Sequence, residues 1–306
     1  KELEGLKMTE DDLQTFVFSA TLSKDLQRNL KKPIRRNFST KRKKKDDKPA
    51  TTLDDLLMRL DFRDPEPEII DLTPEGNVVS TLTEGRINCL STDKDAYLYY
   101  FFLRYPGRSL VFLQSIDGIR RLLPLLELLE IRAYPLHSQL EQRQRLKNLD
   151  RFKSQPNAVL LATDVAARGL DVPAVDHVIH FQIPRTADTY IHRNGRTARA
   201  NRKGFSMLMC APDERRVVKA LMNSLHRGTR LVALTLVLSD LVLPEENEIE
   251  EVDVEMSMLD KLKARIQLAR EIENAQHKLK KTNHDRNWMK QTAEALGVDL
   301  DSDFVR

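Results

Sequence analysis

The chain has 306 residues, of which 41% are hydrophobic and 31% are charged, and its net charge is +4. This composition predicts a soluble globular protein, and the lack of a run of about 18 apolar residues argues against a membrane span. Two distant cysteines, Cys89 and Cys210, argue against a disulfide framework and a zinc site, and they favour a reducing compartment such as the cytosol or nucleus.

The first part of the chain predicts a short β/α unit and then irregular structure. Residues 15–22, TFVFSATL, have the character of a buried strand, and Ser23 is a candidate N-cap for the helix that follows. A basic insertion is expected at about residues 39–64. Residues 67–72, PEIIDL, predict another strand, and residues 73–85 predict a linker.

Residues 86–227 alternate regularly between apolar strands and helices. Helices are predicted from IDGIRRLLPLLELLE despite Pro124, from ADTYIHRNGRT and from DERRVVKALMNSL. A further amphipathic helix, LEQRQRLKNLDRF, has one apolar face formed by Leu140, Leu146, Leu149 and Phe152. The predicted strands are SLVFL, IRAYPLH, AVLLAT, VDHVIHF and GFSMLMC. This alternation favours a parallel sheet with helices on both faces.

Polar groups follow several predicted strands, at the edge where ligands gather in open parallel sheets. These strand ends read SAT at 19–21, LQS at 113–115, LHS at 136–138 and ATDVAARGLD at 162–171. In the last of them, Thr163 or Asp164 can cap a one-turn helix that Gly169 ends, and free N–H groups at a helix start bind phosphate. A capped structural turn explains the same residues equally well.

The stretch YIHRNGRTARA at residues 190–200 places Arg193, Arg196 and Arg199 three residues apart. Taken alone, this pattern favours a solvated basic helix face. The functional alternative is an arginine finger, because guanidinium groups match phosphate oxygens and stabilise the charge that develops on a transferring γ-phosphoryl group.

Taken together, these stretches resemble the DEAD-box RNA helicases of superfamily two. Six motifs occur in the family's order over about residues 15–225, so a chance match is negligible. They are SAT (motif III), SLVFLQS (motif IV), LHSQLEQRQRLKNLDRF (with the family's QxxR), ATDVAARGLD (motif V), HVIHFQIP (motif Va) and YIHRNGRTARA (motif VI). The resemblance implies an α/β fold with a RecA-like parallel sheet covered by helices on both faces.

The resemblance also implies four segments. Residues 1–72 would be the C-terminal remnant of a first RecA-like domain, and residues 73–85 the interdomain linker. Residues 86–227 would be the second RecA-like, or helicase C-terminal, domain. Residues 228–306 would be a helical C-terminal extension.

On the nucleotide side, the resemblance makes Arg196 and Arg199 the arginine fingers on the γ-phosphate of ATP and brings Asp171 to its ribose. His192 and Arg193 would connect the ATP site with motif III and the RNA. Catalytic coupling to domain closure would come from Ser19 and Thr21.

On the RNA side, the family holds the sugar–phosphate backbone largely without reading bases. The resemblance gives this role to residues at the strand ends and in the QxxR motif: Gln114, His137, Ser138, Gln142, Arg145, Thr163 and Gly169.

The sequence also departs from the family's pattern. Asn194 and Ala198 stand where the family usually has Ile and Gly, and Ser138 replaces a usual Gly, which puts the geometry of the RNA-binding loops in doubt. There is no GxxxxGK[ST] loop, no DEAD tetrapeptide and no Q motif. ATP and Mg²⁺ would therefore be held mainly by the absent part of the first domain, and this chain alone is expected to be inactive.

The tail DRNWMKQTAEALGVDLDSD, together with HRNGRTARA and the basic insertion, is similar to the nucleolar helicases of the Mak-five type that assist assembly of the large ribosomal subunit. This similarity implies a nuclear, nucleolar protein without a membrane partner. Its partners would be pre-ribosomal RNA and the ribosomal proteins and assembly factors of the pre-large-subunit particle.

Two segments have competing interpretations. The basic run at residues 41–48 would contact ribosomal RNA or would be a solvated loop or nuclear-import signal. The region around Trp288 would be a docking helix or would pack back onto the second domain, and the second is favoured because a lone Trp is usually buried.

Two functions remain open for the protein as a whole. One is an ATP-dependent RNA helicase that remodels ribonucleoprotein, and the other is an RNA- and protein-binding assembly scaffold in which ATP hydrolysis is dispensable. Intact Arg196 and Arg199 favour the helicase. The residues of motifs III and VI disfavour a superfamily-two DNA translocase.

Overall fold

The computed structural model describes residues 16–18, 68, 70, 79–167, 172, 175–225 and 249–296. The chain divides into two compact units. The larger unit comprises residues 81–183, 196–214 and 249–306, and the second unit comprises residues 1–80, 184–195 and 215–248.

The larger unit contains a parallel sheet. Within the described residues it has seven strands, in the order β3-β4-β2-β5-β6-β1-β7. The strands are β1 (Leu82–Asn88), β2 (Ser109–Leu113), β3 (Ala133–Leu136), β4 (Val159–Thr163), β5 (His177–His180), β6 (Gly204–Cys210) and β7 (Glu250–Glu251). All residues of β2 and β4 are buried, which is typical of strands covered on both faces. The predicted parallel sheet is confirmed.

Five of the described α-helices lie in the larger unit: α1 (Lys94–Arg104), α2 (Ile116–Leu128), α3 (Gln142–Ser154), α4 (Asp164–Ala167) and α7 (Met256–Leu296). Two described helices, α5 (Ala187–Asn194) and α6 (Arg215–Ser224), belong to the second unit. Helix α2 forms despite Pro124, as predicted, and begins at an N-cap where the Gly118 N–H donates to Ser115 Oγ over 3.1 Å.

Alternate residues of the strands supply two separate cores. Val111 and Leu113 of β2 point into a core that includes α1, α2 and the first part of α7. Leu110 and Phe112 point into a core on the other face that includes α3. Helices therefore cover both faces of the sheet, and the predicted α/β class is confirmed.

Several local predictions are wrong. Strand β1 begins at Leu82, inside the stretch predicted as linker, and neither α1 nor β7 was predicted. Phe16, Val17 and Phe18, in the predicted strand at residues 15–22, are exposed and belong to no strand, and no described strand pairs with them. Glu68 and Ile70, in the predicted strand at residues 67–72, are likewise exposed and belong to no strand. The other residues of the predicted first unit, including residues 39–64, lie outside the described residues.

The apolar face of α3 is narrower than predicted. Leu149 and Phe152 are buried, but the side chain of Leu146 is 45% exposed. The buried stripe of the helix instead includes Asn148, whose Nδ2 donates to the carbonyl of Pro135 over 3.0 Å. Leu146 lies about 200° around the helix from Asn148, so it faces away from that stripe.

Helix α7 has 41 residues, and only its first part is packed. Leu259, Leu262, Ile266 and Ala269 are buried against α1 and α2. The positions that would continue this stripe are Glu273, Gln276 and Lys280, so the packed face ends. Trp288 is 60% exposed, and the prediction that it is buried is wrong.

A buried carboxylate joins the three helices on this face. Asp95 of α1 is 3% exposed, and its two oxygens accept bidentate hydrogen bonds from Arg121 of α2 over 2.6 and 2.9 Å. Arg270 of α7 donates to the same group over 2.6 Å. Burial alone would raise the pKa of the Asp95 carboxyl, but the hydrogen bonds and charges of the two arginines outweigh it, and the pKa lies below its usual value.

The loop that enters β6 is held by a close approach of the backbone. A Cβ at Gly204 would lie 2.2 Å from Thr197 Oγ1 and 2.5 Å from the backbone nitrogen of Ala198. The loop also contains left-handed residues, with φ values of 53° at Ala198, 51° at Ala200 and 59° at Asn201. Gly204 therefore sets the path of the loop that carries Arg196 and Arg199.

Replacing Asp95 by Asn should lower the free energy of unfolding by about 2 kcal/mol at neutral pH, because two guanidinium groups lose their charged partner. Urea titration measures this loss. A depressed native pKa stabilises the fold above the unfolded pKa of about 3.9, and the stability is lost as the pH falls through the native value. The difference between wild type and variant should therefore be constant above about pH 5 and shrink in acid. Asp117→Asn, at an exposed ion pair, is the control and should stay within about 0.5 kcal/mol.

Replacing Gly204 by Ala should cost about 2–3 kcal/mol, because the new methyl group meets a backbone atom that no rotamer change can move. Thermal unfolding measures the loss. Gly195→Ala is the matched control, since the nearest atom to its Cβ would be 3.4 Å away, and it should change stability by less than about 0.5 kcal/mol. Equal losses in the two variants would contradict the role of the close approach.

Candidate functional site

Four neighbouring strands of the larger unit end at one edge of the sheet. In the register of the sheet, Leu136 pairs with Ala162 and Leu113 pairs with Thr163. The residues at or just after these positions are therefore neighbours along the edge. The structure brings together Gln114, His137 and Thr163, which the sequence placed on three different strands.

Gln114 cross-links two of these strand ends. Its backbone N–H donates to Gln182 Oε1 over 2.7 Å, and its Nε2 donates to the carbonyl of Ile183 over 2.6 Å. The side-chain amide is half-buried, so it orders the segment after β5. Sequence reasoning did not single out Gln182, although it stands within HVIHFQIP.

His137 follows β3 and is buried. Burial, with a smaller effect from the charge of Arg120, lowers the pKa of its imidazole, so the ring is neutral at pH 7. Its Nδ1 has no hydrogen-bond partner among the described residues. The next residue, Ser138, is exposed. This strand end thus combines an inward-facing imidazole with an accessible hydroxyl.

Thr163 is the last residue of β4 and is buried. Helix α4, Asp164–Ala167, starts directly after it, which confirms the one-turn helix predicted from this motif. Gly169 and Asp171 lie outside the described residues, as do Ser19 and Thr21 of the first motif.

The QxxR pair lies in the first turn of α3. Arg145 Nη1 donates to Gln142 Oε1 over 3.1 Å, so the two residues contact each other. Gln142 is exposed and Arg145 is half-buried. The pair stands at the end of the loop that leaves β3 at His137.

Helix α5, in the second unit, contains the first half of the arginine motif. It begins at Thr186, whose Oγ1 accepts the N–H of Thr189 over 3.0 Å. His192 is exposed, and its Nε2 lies 3.2 Å from Asp188 Oδ1 one turn earlier. Arg193 is only 2% exposed and makes interactions with neighbouring groups. Arg193 therefore does not lie on a solvated basic helix face.

The second half of the motif is a loop of the larger unit, and hydrogen bonds fix its backbone. The Arg196 carbonyl accepts the N–H of Val175 over 3.1 Å, and buried Thr197 donates through Oγ1 to the Val175 carbonyl over 2.6 Å. Arg196 is half-buried and Arg199 is exposed. Arg199 Nη1 lies 3.4 Å from the Val172 carbonyl. The loop thus presents Arg199 at the surface from a fixed backbone.

Ala198 stands where the family usually has Gly, and this difference has a structural consequence. Its φ of 53° lies in the left-handed region that favours glycine, which explains a family preference for Gly at this position. The Cβ of Ala198 makes this conformation less favourable by about 1–2 kcal/mol, and the hydrogen bonds of Thr197 on the preceding residue oppose its relaxation.

Neither a metal cluster nor a membrane span is found in the described part of the chain. No group of three or more His, Cys, Asp or Glu residues there could hold a metal ion. None of the described helices is long and apolar enough to cross a membrane.

The chain is similar to known RNA helicases over almost its whole length. The helicase conserved C-terminal domain family matches residues 93–201. The ATP-dependent RNA helicase mak5 of Schizosaccharomyces pombe is 40% identical over 290 residues, which cover 95% of this chain and 41% of that protein. The human ATP-dependent RNA helicase DDX24 is 41% identical over 293 residues, covering 96% of this chain and 31% of that protein.

Among solved structures, the Escherichia coli DEAD-box protein SrmB, bound to regulator of ribonuclease activity A, is 28% identical with a TM-score of 0.46. That match covers 59% of this chain and 93% of the SrmB chain.

This chain spans less than half the length of the mak5 and DDX24 relatives. The matched domain contains the strand ends and the arginine motif described above, and the similarity to the relatives extends over almost the whole chain. The chain belongs to the DEAD-box family of RNA helicases.

Proposed function

We propose that this chain is the C-terminal part of an ATP-dependent RNA helicase that remodels pre-ribosomal RNA during assembly of the large ribosomal subunit. The observation that supports this most is the arginine loop. Hydrogen bonds of Val175 and Thr197 fix its backbone, and Arg199 lies at the surface. An arginine that binds a phosphate held by another domain needs both a fixed position and an exposed side chain.

The proposed domain organisation places residues 1–72 at the end of a first RecA-like domain and extends the second RecA-like domain to about residue 227. The pairing of β1 with β6 along seven residues supports a start of the second domain at Leu82, four residues before the start predicted from the sequence. Residues 228–306 form the C-terminal extension.

On the nucleotide side, Arg196 and Arg199 bind the γ-phosphate and stabilise its developing charge, and Asp171 binds the ribose. ATP with Mg²⁺ supplies the phosphoryl group to be transferred, and both are held mainly by the first domain. His192, Arg193, Ser19 and Thr21 link this site to the RNA and to domain closure.

On the RNA side, the strand ends bind the sugar–phosphate backbone. Thr163 and Gly169, with the backbone near Ser138, hold phosphates, and the contact between Gln142 and Arg145 orders the loop after β3. Gln114 and His137 complete this edge. Contacts of this kind recognise RNA by its backbone geometry rather than by sequence.

The RNA class and the location are inferred from the tail. Its similarity to the Mak-five type of helicase supports pre-ribosomal RNA as substrate, ribosomal proteins and assembly factors as neighbours, and the nucleolus as the site of action. We favour this enzyme over the scaffold alternative because the arginine pair that a scaffold would not need is present and its loop is structurally fixed.

In the full-length protein, Arg199→Ala should lower RNA-stimulated ATP turnover at least about a thousandfold, because an arginine finger contributes a factor of that order or more. Steady-state phosphate release measures it. Arg202→Ala removes an equally exposed arginine three residues away and should leave turnover unchanged. Turnover that is the same in both variants would contradict the finger assignment.

The 306-residue chain alone should show no ATP turnover with or without RNA, since it contains neither a GxxxxGK[ST] loop nor a DEAD tetrapeptide. The same phosphate-release assay tests this. Full-length protein that binds RNA but never hydrolyses ATP, even with assembly partners added, would favour the scaffold instead. Turnover by the chain alone would contradict the proposed division of the site.

A further inference from the structure

We propose that the second half of α7 is an additional RNA-binding surface that holds unpaired RNA outside the helicase site. The inference rests on the proposed function only in taking RNA as the ligand. The surface consists of His277, Lys280, Lys281, His284 and Trp288, which we name the cationic stripe.

The stripe lies on a part of the helix that no described residue of the larger unit buries. Within the described residues, the buried side chains of α7 end at Ala269, and Arg270 forms an ion pair with Asp95 of α1. No side chain described beyond Arg270 on α7 is buried. At about 1.5 Å per residue, residues 271–296 extend the helix by about 39 Å.

The stripe residues share one helix face. His277, Lys281, His284 and Trp288 follow at intervals of four, three and four, and Lys280 stands beside Lys281. All five side chains are exposed, and none makes a hydrogen bond or ion pair within the described part of the chain. Their charge and their ring surface are therefore available to a ligand.

The local charge selects an anionic partner. Residues 277–290 contain five Lys or Arg residues and a single acid, Asp285. An amphipathic docking helix would continue the apolar spacing of the packed half, but Glu273, Gln276 and Lys280 stand at those positions. A solvated basic face would explain the lysines. It would not explain the exposed indole of Trp288, because Trp is on average a highly buried residue.

Unpaired RNA fits both parts of the stripe. Lysine side chains neutralise phosphates, and neighbouring side chains along such a face are about 5–6 Å apart. An indole stacks on a base that is not already stacked in a duplex, and such stacking is tolerant of sequence. A product strand freed by a helicase is a ligand of this kind.

The test measures binding of a fluorescent single-stranded RNA to the full-length protein without nucleotide, by anisotropy over a range of salt concentrations. Lys280→Ala combined with Lys281→Ala should raise Kd about tenfold and lower the slope of log K against log salt by about 1.4, since each phosphate contact contributes about 0.7. Trp288→Ala should raise Kd about tenfold at an unchanged slope, and Trp288→Phe should retain most of the affinity.

The control double variant is Lys261→Ala with Lys219→Ala, which removes the same charge from exposed positions outside the stripe. Lys261 lies in the packed half of α7 and Lys219 lies on α6. Equal weakening by this variant would overturn the proposal, because net charge and not the stripe would then bind RNA.

Wild-type RNA affinity in both stripe variants would also overturn the proposal. An acidic protein surface would then be the ligand that the cationic stripe fits. ATP turnover at saturating RNA should be unchanged in the stripe variants, since they lie outside the arginine loop. Because binding is measured without ATP, a lack of turnover in wild type would contradict the proposed function and leave the result for the stripe standing.

Discussion

The burial of the sheet on both faces is the constraint on which the rest of the structure depends. Strands β2 and β4 have no exposed residue, so a polar group within them would lose its water without gaining a partner. Polar side chains are therefore placed where the strands end. Gln114, His137 and Thr163 meet at one edge for this reason, and the candidate site follows from how the core is built.

This constraint also explains what could be predicted from the sequence. Apolar runs such as SLVFL identify buried strands, and a parallel sheet then brings their ends together. The start of β1 could not be found in this way, because Leu82–Asn88 contains Glu84, Gly85 and Arg86 and resembles a linker. Its place comes from pairing with β6, more than a hundred residues away. Helix α1, with apolar residues all around, shows no clear helical period.

In the candidate site, too, some features follow from the sequence and others depend on tertiary contacts. The spacing of Gln142 and Arg145 explains their hydrogen bond, because residues three apart are neighbours on a helix. The burial of Arg193, the role of Gln182 and the close approach of Gly204 to Thr197 depend on tertiary contacts between distant segments. The exposure of Trp288 was mispredicted for a related reason. Residue type favours burial, but the chain offers no packed face at that point of α7.

The continuity of α7 has a mechanical consequence. One end of the helix is fastened by a buried apolar row and by Arg270 on Asp95, and the other end extends about 39 Å without a break in its hydrogen bonding. Such a rod acts as a lever arm. A rotation of the larger unit by about 10° would displace its tip by about 7 Å. Small movements of the sheet are thereby converted into large movements far from it.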